Sequence, residues 1–277
     1  MNQSFKKLAT PYRIWLYILA LFPIAVMFLL IFINSEGISL DEAYLTLDTF
    51  STLKEPSTLE GFKNSFLFAS IATIVCLLLG YILAYSVFRS KFSNKFLVLT
   101  IFILPMWSNL ILRIEALGNV MEQHNIIQDI LADVGITYQL AIRGTSLAVL
   151  IGLIFTYLPF MILPIYTALE KIDYSLEEAA LDLGATSTQK FWKVIFPLSL
   201  KGVVTGSIMV FLPCMSGFAI PKILGDGNIL LIGNIIDQQF KTMMYNQGSL
   251  LAVIIIVAIL GSLFLINKVD KEGETLL

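Results

Sequence analysis

Apolar residues gather into six long stretches separated by polar loops. The stretches are residues 14–33, 65–87, 96–114, 146–168, 203–220 and 249–266. A helix needs about 20 apolar residues to cross the hydrocarbon core of a bilayer, so the pattern predicts six transmembrane helices. The third stretch is interrupted by Pro105, Trp107, Ser108 and Asn109, and the fifth is short and contains Pro213. Three loops have size. Residues 34–64 carry Glu36, Asp41, Glu42, Asp48, Glu55 and Glu60, residues 115–145 read as partly helical, and residues 169–202 hold a charged, helix-prone stretch.

Composition agrees with a membrane class. The 277 residues are 57% hydrophobic and 14% charged, against about 25% charged in a soluble domain. Lys6, Lys7 and Arg13 precede the first stretch, as in a secretory signal. Its apolar run of about 20 residues exceeds the 7–15 of a signal and lacks a small-residue cleavage site, so it reads as a retained span. Lys/Arg positions set the orientation. With the N-terminus inside, twelve of the 18 fall on the inner side, including Arg89, Lys91, Lys95, Lys171, Lys190, Lys193, Lys201, Lys268 and Lys271. Twelve of the 20 acidic residues fall outside. The expectation is a multi-pass protein of a cell membrane, in contact with lipid, with both ends cytoplasmic. The net charge of −2 gives no case for nucleic acid. Cys76 and Cys214 sit in apolar stretches as packed thiols, and one histidine, His124, does not make a four-ligand zinc site. No nucleotide-binding or hydrolase motif is present. An intramembrane enzyme would need paired catalytic groups at depth, and the sequence offers none; a passive channel would not need an ATPase.

The loop at 169–202 contains EEAALDLGATSTQKFWKVIFP. Leu169, Ile172, Leu176, Ala179, Ala180 and Leu183 recur at helical spacing, with Glu170, Asp173, Glu177, Glu178 and Asp182 largely on other faces. Gly184 stands where a helix-terminating glycine belongs. Thr186 and Gln189 fit a capping box for a second helix through Phe191, Trp192 and Ile195, and Pro197 predicts a kink or stop. A surface connector would account for the apolar face. Helix-in-groove docking accounts in addition for the acids and the sharp turn.

The run Glu178-Ala179-Ala180, three residues, Gly184, nine residues, Val194-Ile195-Phe196-Pro197 resembles the EAA loop of ABC importer permeases, with Val194 and Phe196 as conservative departures. PMWSNLILRIEALG (105–118), LPFMILPIYTALEKIDYSLEEAALDLGAT (158–186) and LLIGNIIDQQF (230–240) resemble the spermidine/putrescine group of that family, so the likeness covers most of the chain from about residue 60. The resemblance implies an all-α integral membrane protein of the type I importer kind, a single transmembrane domain over residues 1–277. Its cytoplasmic helix–turn–helix would be the coupling loop. Implied partners are a second, similar permease, a homodimeric cytoplasmic ATPase that binds ATP and magnesium, and an extracytoplasmic substrate-binding protein. The chain itself would bind no cofactor and catalyse nothing. Ala179, Ala180 and Leu183 would enter the ATPase groove, Glu178 and Asp182 would make rim contacts or brace the module, and Gly184 would set the angle between the helices.

Pro159 and Pro164 stand as a hinge or a static kink, and Gly202 and Gly206 as a close-packing pair. A polyamine path wants carboxylates, aromatic faces and amide oxygens. The candidates are Trp107, Asn109 and Glu115 at the outer end of the third stretch and Asp237 before the sixth. Each has a plainer role available: Trp107 as an interfacial anchor, and Glu115 as a partner of Arg113.

Overall fold

The computed structural model describes residues 10–34, 44–92, 94–124, 128, 130 and 141–269. Lys6, Lys7, Glu36, Asp41, Glu42 and Lys271, used above for orientation and charge, lie outside the described residues, and only the backbone is described for Lys268. Helices dominate. They are α1 (Thr10–Leu30), α2 (Pro56–Arg89), α3 (Lys95–Ile103), α4 (Leu110–Val120), α5 (Ser146–Glu170), α6 (Tyr174–Asp182), α7 (Ser187–Lys190), α8 (Phe196–Ser216), α9 (Ala219–Leu224), α10 (Ile232–Lys241) and α11 (Tyr245–Val269). A two-residue ladder, β1 (Ile33–Asn34) with β2 (Tyr44–Leu45), and a 3₁₀ turn over Asp48–Lys54 join α1 to α2.

Among the described residues five helices are long and apolar enough to cross a membrane, and six if the bent pair α3–α4 counts as one. The core is the three-helix contact of α2, α5 and α8. Ala72 and Cys76 meet Leu153, Met161 and Ile165 there, with Val210 and Cys214; both cysteines are free and buried. Small residues permit the approach. A Cβ on Gly202 would lie 2.5 Å from the Pro164 carbonyl oxygen, and one on Gly206 would lie 2.8 Å from the Met161 sulfur. The GxxxG pair is therefore a seam between α8 and α5, against the turn that contains Pro164. A smaller cluster, Ile232, Ile235, Leu251 and Ile255, fastens α10 to α11. At the start of α10 the N–H groups are satisfied by side chains: Ser65 of α2 accepts from Ile232 N–H at 2.8 Å, and Asn234, at the third position of the helix, accepts from Leu231 N–H at 3.4 Å. Helix α1 packs on α11 and has no buried residue, leaving its apolar surface to hydrocarbon or to another chain.

The third and fifth spans differ from the sequence expectation. Residues 96–114 are not one straight helix: α3 passes through a 3₁₀ turn, Leu104–Trp107, and α4 leaves at 93°. Pro105 lacks an N–H, and Ser108 is extended, so the ladder stops there. The freed Pro105 carbonyl accepts from Ser108 N–H, the Ser108 hydroxyl and the Arg113 guanidinium, while Asn109 caps α4 by accepting from Ile111 and Leu112. A break at membrane depth persists only where its polar groups are satisfied in this way. The fifth span starts earlier and ends earlier than 203–220. Pro197 falls in the first turn of α8, where a missing N–H costs nothing, so it neither stops nor delays the helix. A five-residue π turn, Phe191–Ile195, leads into it, with Phe196 N–H reaching back to Phe191 O. At the other end Gly217 turns the chain out after Pro213, and residues 219–220 belong to α9.

Helix α2 also outruns its 65–87 expectation. At 34 residues and 1.5 Å each it is about 51 Å long, against a hydrocarbon core of about 30 Å. Nine of the eleven extra residues, 56–64, lie at its start, where Asn64 donates to Leu230 O at 3.3 Å; its last turns, with Val87 buried in the main core, end beside α6 and α7 and build the site below.

Candidate functional site

Helix α5 ends at Glu170, and the chain turns through Lys171–Asp173 before α6 starts. The expected amphipathic helix beginning at Leu169 is thus two helices. Leu169 is a fully buried residue of α5, and Asp173 caps α6 by accepting from Ser175 N–H at 2.9 Å. That bond, in open solvent, holds the Asp173 carboxyl below the usual aspartate range.

The C-terminus of α6 takes the glycine form expected of it. Gly184 has φ +80°, and Gly184 N–H donates to Leu181 O at 2.9 Å while Ala185 N–H donates to Ala180 O at 3.0 Å. These are the two bonds of a Schellman turn, which consumes carbonyls a helix end otherwise leaves open. Two residues later Thr186 and Gln189 exchange side chain–backbone bonds in both directions, the expected capping box. The module is therefore a fixed elbow between α6 and α7.

Of the residues named from the sequence, Glu178, Ala179, Asp182, Leu183 and Gly184 are exposed and Ala180 is half-buried. Leu183 caps α6 with 88% of its surface open, and Leu176, three and four residues before Ala179 and Ala180, is also exposed. Together they make an apolar ridge left uncovered by the other described residues. Glu178 has no ion pair among the described residues. Bracing falls instead to Glu177, which periodicity had placed on the polar side. Glu177 is 1% exposed. Its Oε2 accepts from Arg89 Nη2, at the end of α2, and lies 3.0 Å from Lys190 Nζ, at the end of α7. Burial raises the Glu177 carboxyl, but bonds from Arg89 and Lys190 outweigh it and hold the group below the usual glutamate range. The Arg89 guanidinium also donates to Tyr85 OH at 3.2 Å and lies 5.2 Å from the Phe88 ring centroid. Tyr81, Tyr85, Phe191, Trp192 and Phe196 stack beside it, with Phe191 5.2 Å from both Tyr85 and Trp192. The only sequence signal for Glu177 was a doubled glutamate, and nothing in the local pattern says which of two adjacent acids faces inward.

The four residues named for a substrate path share no bond with one another among the described residues. Trp107 is 87% exposed. Asn109 is occupied as the α4 cap. Glu115 pairs with Arg143 at 3.4 Å, not with Arg113, whose guanidinium serves the break in the third span. Asp237 sits between Lys222 at 2.9 Å and Lys241 at 2.7 Å, and these two bonds, Lys241 first, hold its carboxyl below the usual range.

The architecture and sequence have clear relatives. The family described as the inner membrane component of binding-protein-dependent transport systems matches residues 77–268. The spermidine/putrescine transport system permease protein PotB of Haemophilus influenzae is 35% identical over 242 residues, 87% of this chain and 85% of that one. Its Escherichia coli K12 namesake is 35% identical over 227 residues, 82% of each. Among solved structures, a bacterial ABC transporter involved in import of the acidic polysaccharide alginate superposes with TM-score 0.77 at 14% identity, covering 98% of this chain and 96% of that one. That likeness speaks for the fold, and it bears out the all-α importer permease architecture expected from the loop. With a family match across most of the sequence and relatives above 30% identity along nearly its whole length, the chain belongs to the inner membrane components of binding-protein-dependent transport systems.

Proposed function

We propose that the chain is one of two permeases in an ATP-driven importer of polyamines in a prokaryotic cell membrane, with both termini cytoplasmic. The observation that carries the cargo is 35% identity across 87% of the chain to a permease named for spermidine and putrescine. The fold alone does not choose a cargo, since it also serves a transporter named for an acidic polysaccharide.

In this reading α6 and α7 form the coupling module. The ridge of Leu176, Ala179 and Leu183 docks in a cleft of a homodimeric ATPase, with Ala180 admitting close approach and Glu178 and Asp182 at the rim. Small and apolar side chains suit a groove because they lose little rotamer freedom on burial. ATP and magnesium bind the ATPase, whose closure draws the two permeases' modules together and turns the pair outward to receive solute from an extracytoplasmic binding protein. Hydrolysis resets them, so access alternates by differential affinity for two states. Within the path, Trp107 offers an open aromatic face to an amine, whereas Glu115 and Asp237 would have to release their cationic partners first. Their acids also suit docking of the binding protein.

The test is uptake of labelled spermidine and putrescine by the four-component complex in proteoliposomes. ATP-dependent, binding-protein-dependent uptake is expected. Import of an amino acid, metal chelate or small anion with neither polyamine taken up would replace the cargo.

A further inference from the structure

We infer that Glu177 is a positioning residue: it latches α6 to the C-terminal end of α2, so that a push on the coupling module moves a membrane-crossing helix and does not merely flex the loop. This rests on the coupling role proposed above and adds the load path inside the permease.

The covalent joints of α6 do not tie it to α2. Before it, the chain passes through Lys171–Asp173 and re-enters a helix at an extended residue, Asp173. After it the Gly184 elbow fixes α6 to α7, a helix of four residues. Rotation about one or two backbone bonds at Lys171–Asp173 would let the elbow pivot away from α2 as one piece. A third link removes that freedom. The Glu177 carboxylate lies under α6 against a cation from α2 and another from α7, Arg89 and Lys190. Its neighbour Glu178, on an exposed face, is left for other uses.

The chemistry of the latch favours direction over strength. An apolar contact at this place could slide, whereas a carboxylate held by a guanidinium and an ammonium fixes the register of three elements at once. Removing the charge would leave Arg89 and Lys190 facing each other in a partly covered site, a like-charge pair that pushes the elements apart. Arg89 is itself held by Tyr85, one turn back along α2, and by the ring of its neighbour Phe88, and Lys95 caps the same helix end by donating to Phe88 O at 2.6 Å. The load thus reaches α2 through a side chain with little slack. The aromatic stack already fastens the π turn to α2 through Phe191. The ion latch is what extends that attachment across to α6.

The experiment uses the whole importer in proteoliposomes, with spermidine uptake and ATP hydrolysis measured together. Glu177→Gln keeps the shape and removes the charge. Its expected result is an unchanged amount of co-purified ATPase, unchanged hydrolysis without binding protein, and uptake per ATP lowered by about tenfold, within the usual range of a coupling term. Glu177→Arg combined with Arg89→Glu and Lys190→Glu exchanges every charge of the latch, so that opposite charges again face each other, and is expected to recover most of the ratio lost in any of the single variants. Wild-type coupling in Glu177→Gln, loss of the ATPase from that complex, or a triple variant no better than its singles would each overturn the latch. The underlying reading fails differently. A wild-type complex that imports another solute is tested with that solute, and a wild-type chain that binds no ATPase removes the coupling role and the latch with it.

Discussion

Gly184 separates what this chain costs itself from what it offers a partner. Its φ of +80° lies in the left-handed region, where a β-carbon costs about 1–2 kcal/mol. A Cβ built there meets no atom within 4 Å, so no packing penalty adds to the strain. Gly184→Ala should therefore destabilise the isolated permease by about 1–2 kcal/mol, shifting its melting midpoint by a few degrees in a chain of this size. Asn and Asp tolerate this conformation better, so Gly184→Asn and Gly184→Asp should cost about half as much. Melting of the purified permease in detergent, followed by tryptophan fluorescence with Trp192 beside the elbow, reads these differences. The same three variants, assembled with the ATPase, should rank in another order. Gly184→Asp places a charge on a surface that the coupling reading buries, so it should lose ATPase association and uptake although it is milder than Gly184→Ala for the free chain. A Gly184→Ala penalty above about 3 kcal/mol would mean a packed site where the structure has open space. Identical rankings in the free and assembled states would remove Gly184 from the docking surface.

Three further outcomes test the frame around the module. Gly202→Ala puts a methyl 2.5 Å from a backbone oxygen and 2.6 Å from Ala168 Cβ, so it should cost about 1–3 kcal/mol; Gly206→Ala, opposed mainly by the flexible Met161 thioether, should cost less, and a reversed order of melting points would refute the seam. Ser65→Ala leaves the buried Ile232 N–H without its acceptor and should cost about 1–3 kcal/mol, with faster amide exchange at the start of α10 as the local signature. Because the Glu177 carboxyl is depressed in the folded chain, the stability it contributes is complete above the ordinary glutamate pKa of about 4.3 and lost as pH falls through its lower folded value. Limited proteolysis at the elbow should thus stay constant at neutral pH and rise only in acid, and Glu177→Gln should shrink that rise, leaving the part due to the Asp173 cap, whose carboxyl is also depressed.

The parts of this molecule that a bilayer dictates were legible in its sequence, and the parts that distant contacts dictate were not. Hydrocarbon enforces length and apolarity, which place the spans but say little about where a helix stops once it leaves the lipid. Helix α2 starts nine residues before its apolar run because Gly61 packs under Ile235 and Asn64 donates to Leu230 O, giving its first turns something to pack on. Pro105 and Asn109 marked the weak point of the third span, yet the 93° turn depends on Arg113 reaching back eight residues to a freed carbonyl. Pro197 shows the converse: the same residue type in the second half of a loop is harmless, because a π turn places it in the opening turn of α8. The Gly184 turn and the Thr186 capping box were readable because each is closed by bonds within five residues, a range over which sequence order and spatial order coincide. Glu177 and Glu178 differ only in which way a helix of nine residues faces, and that is decided by Arg89, 88 residues upstream. A doubled glutamate in such an elbow can therefore divide its labour, one carboxylate turned inward to hold the module to its own helix and the other left outside for a partner.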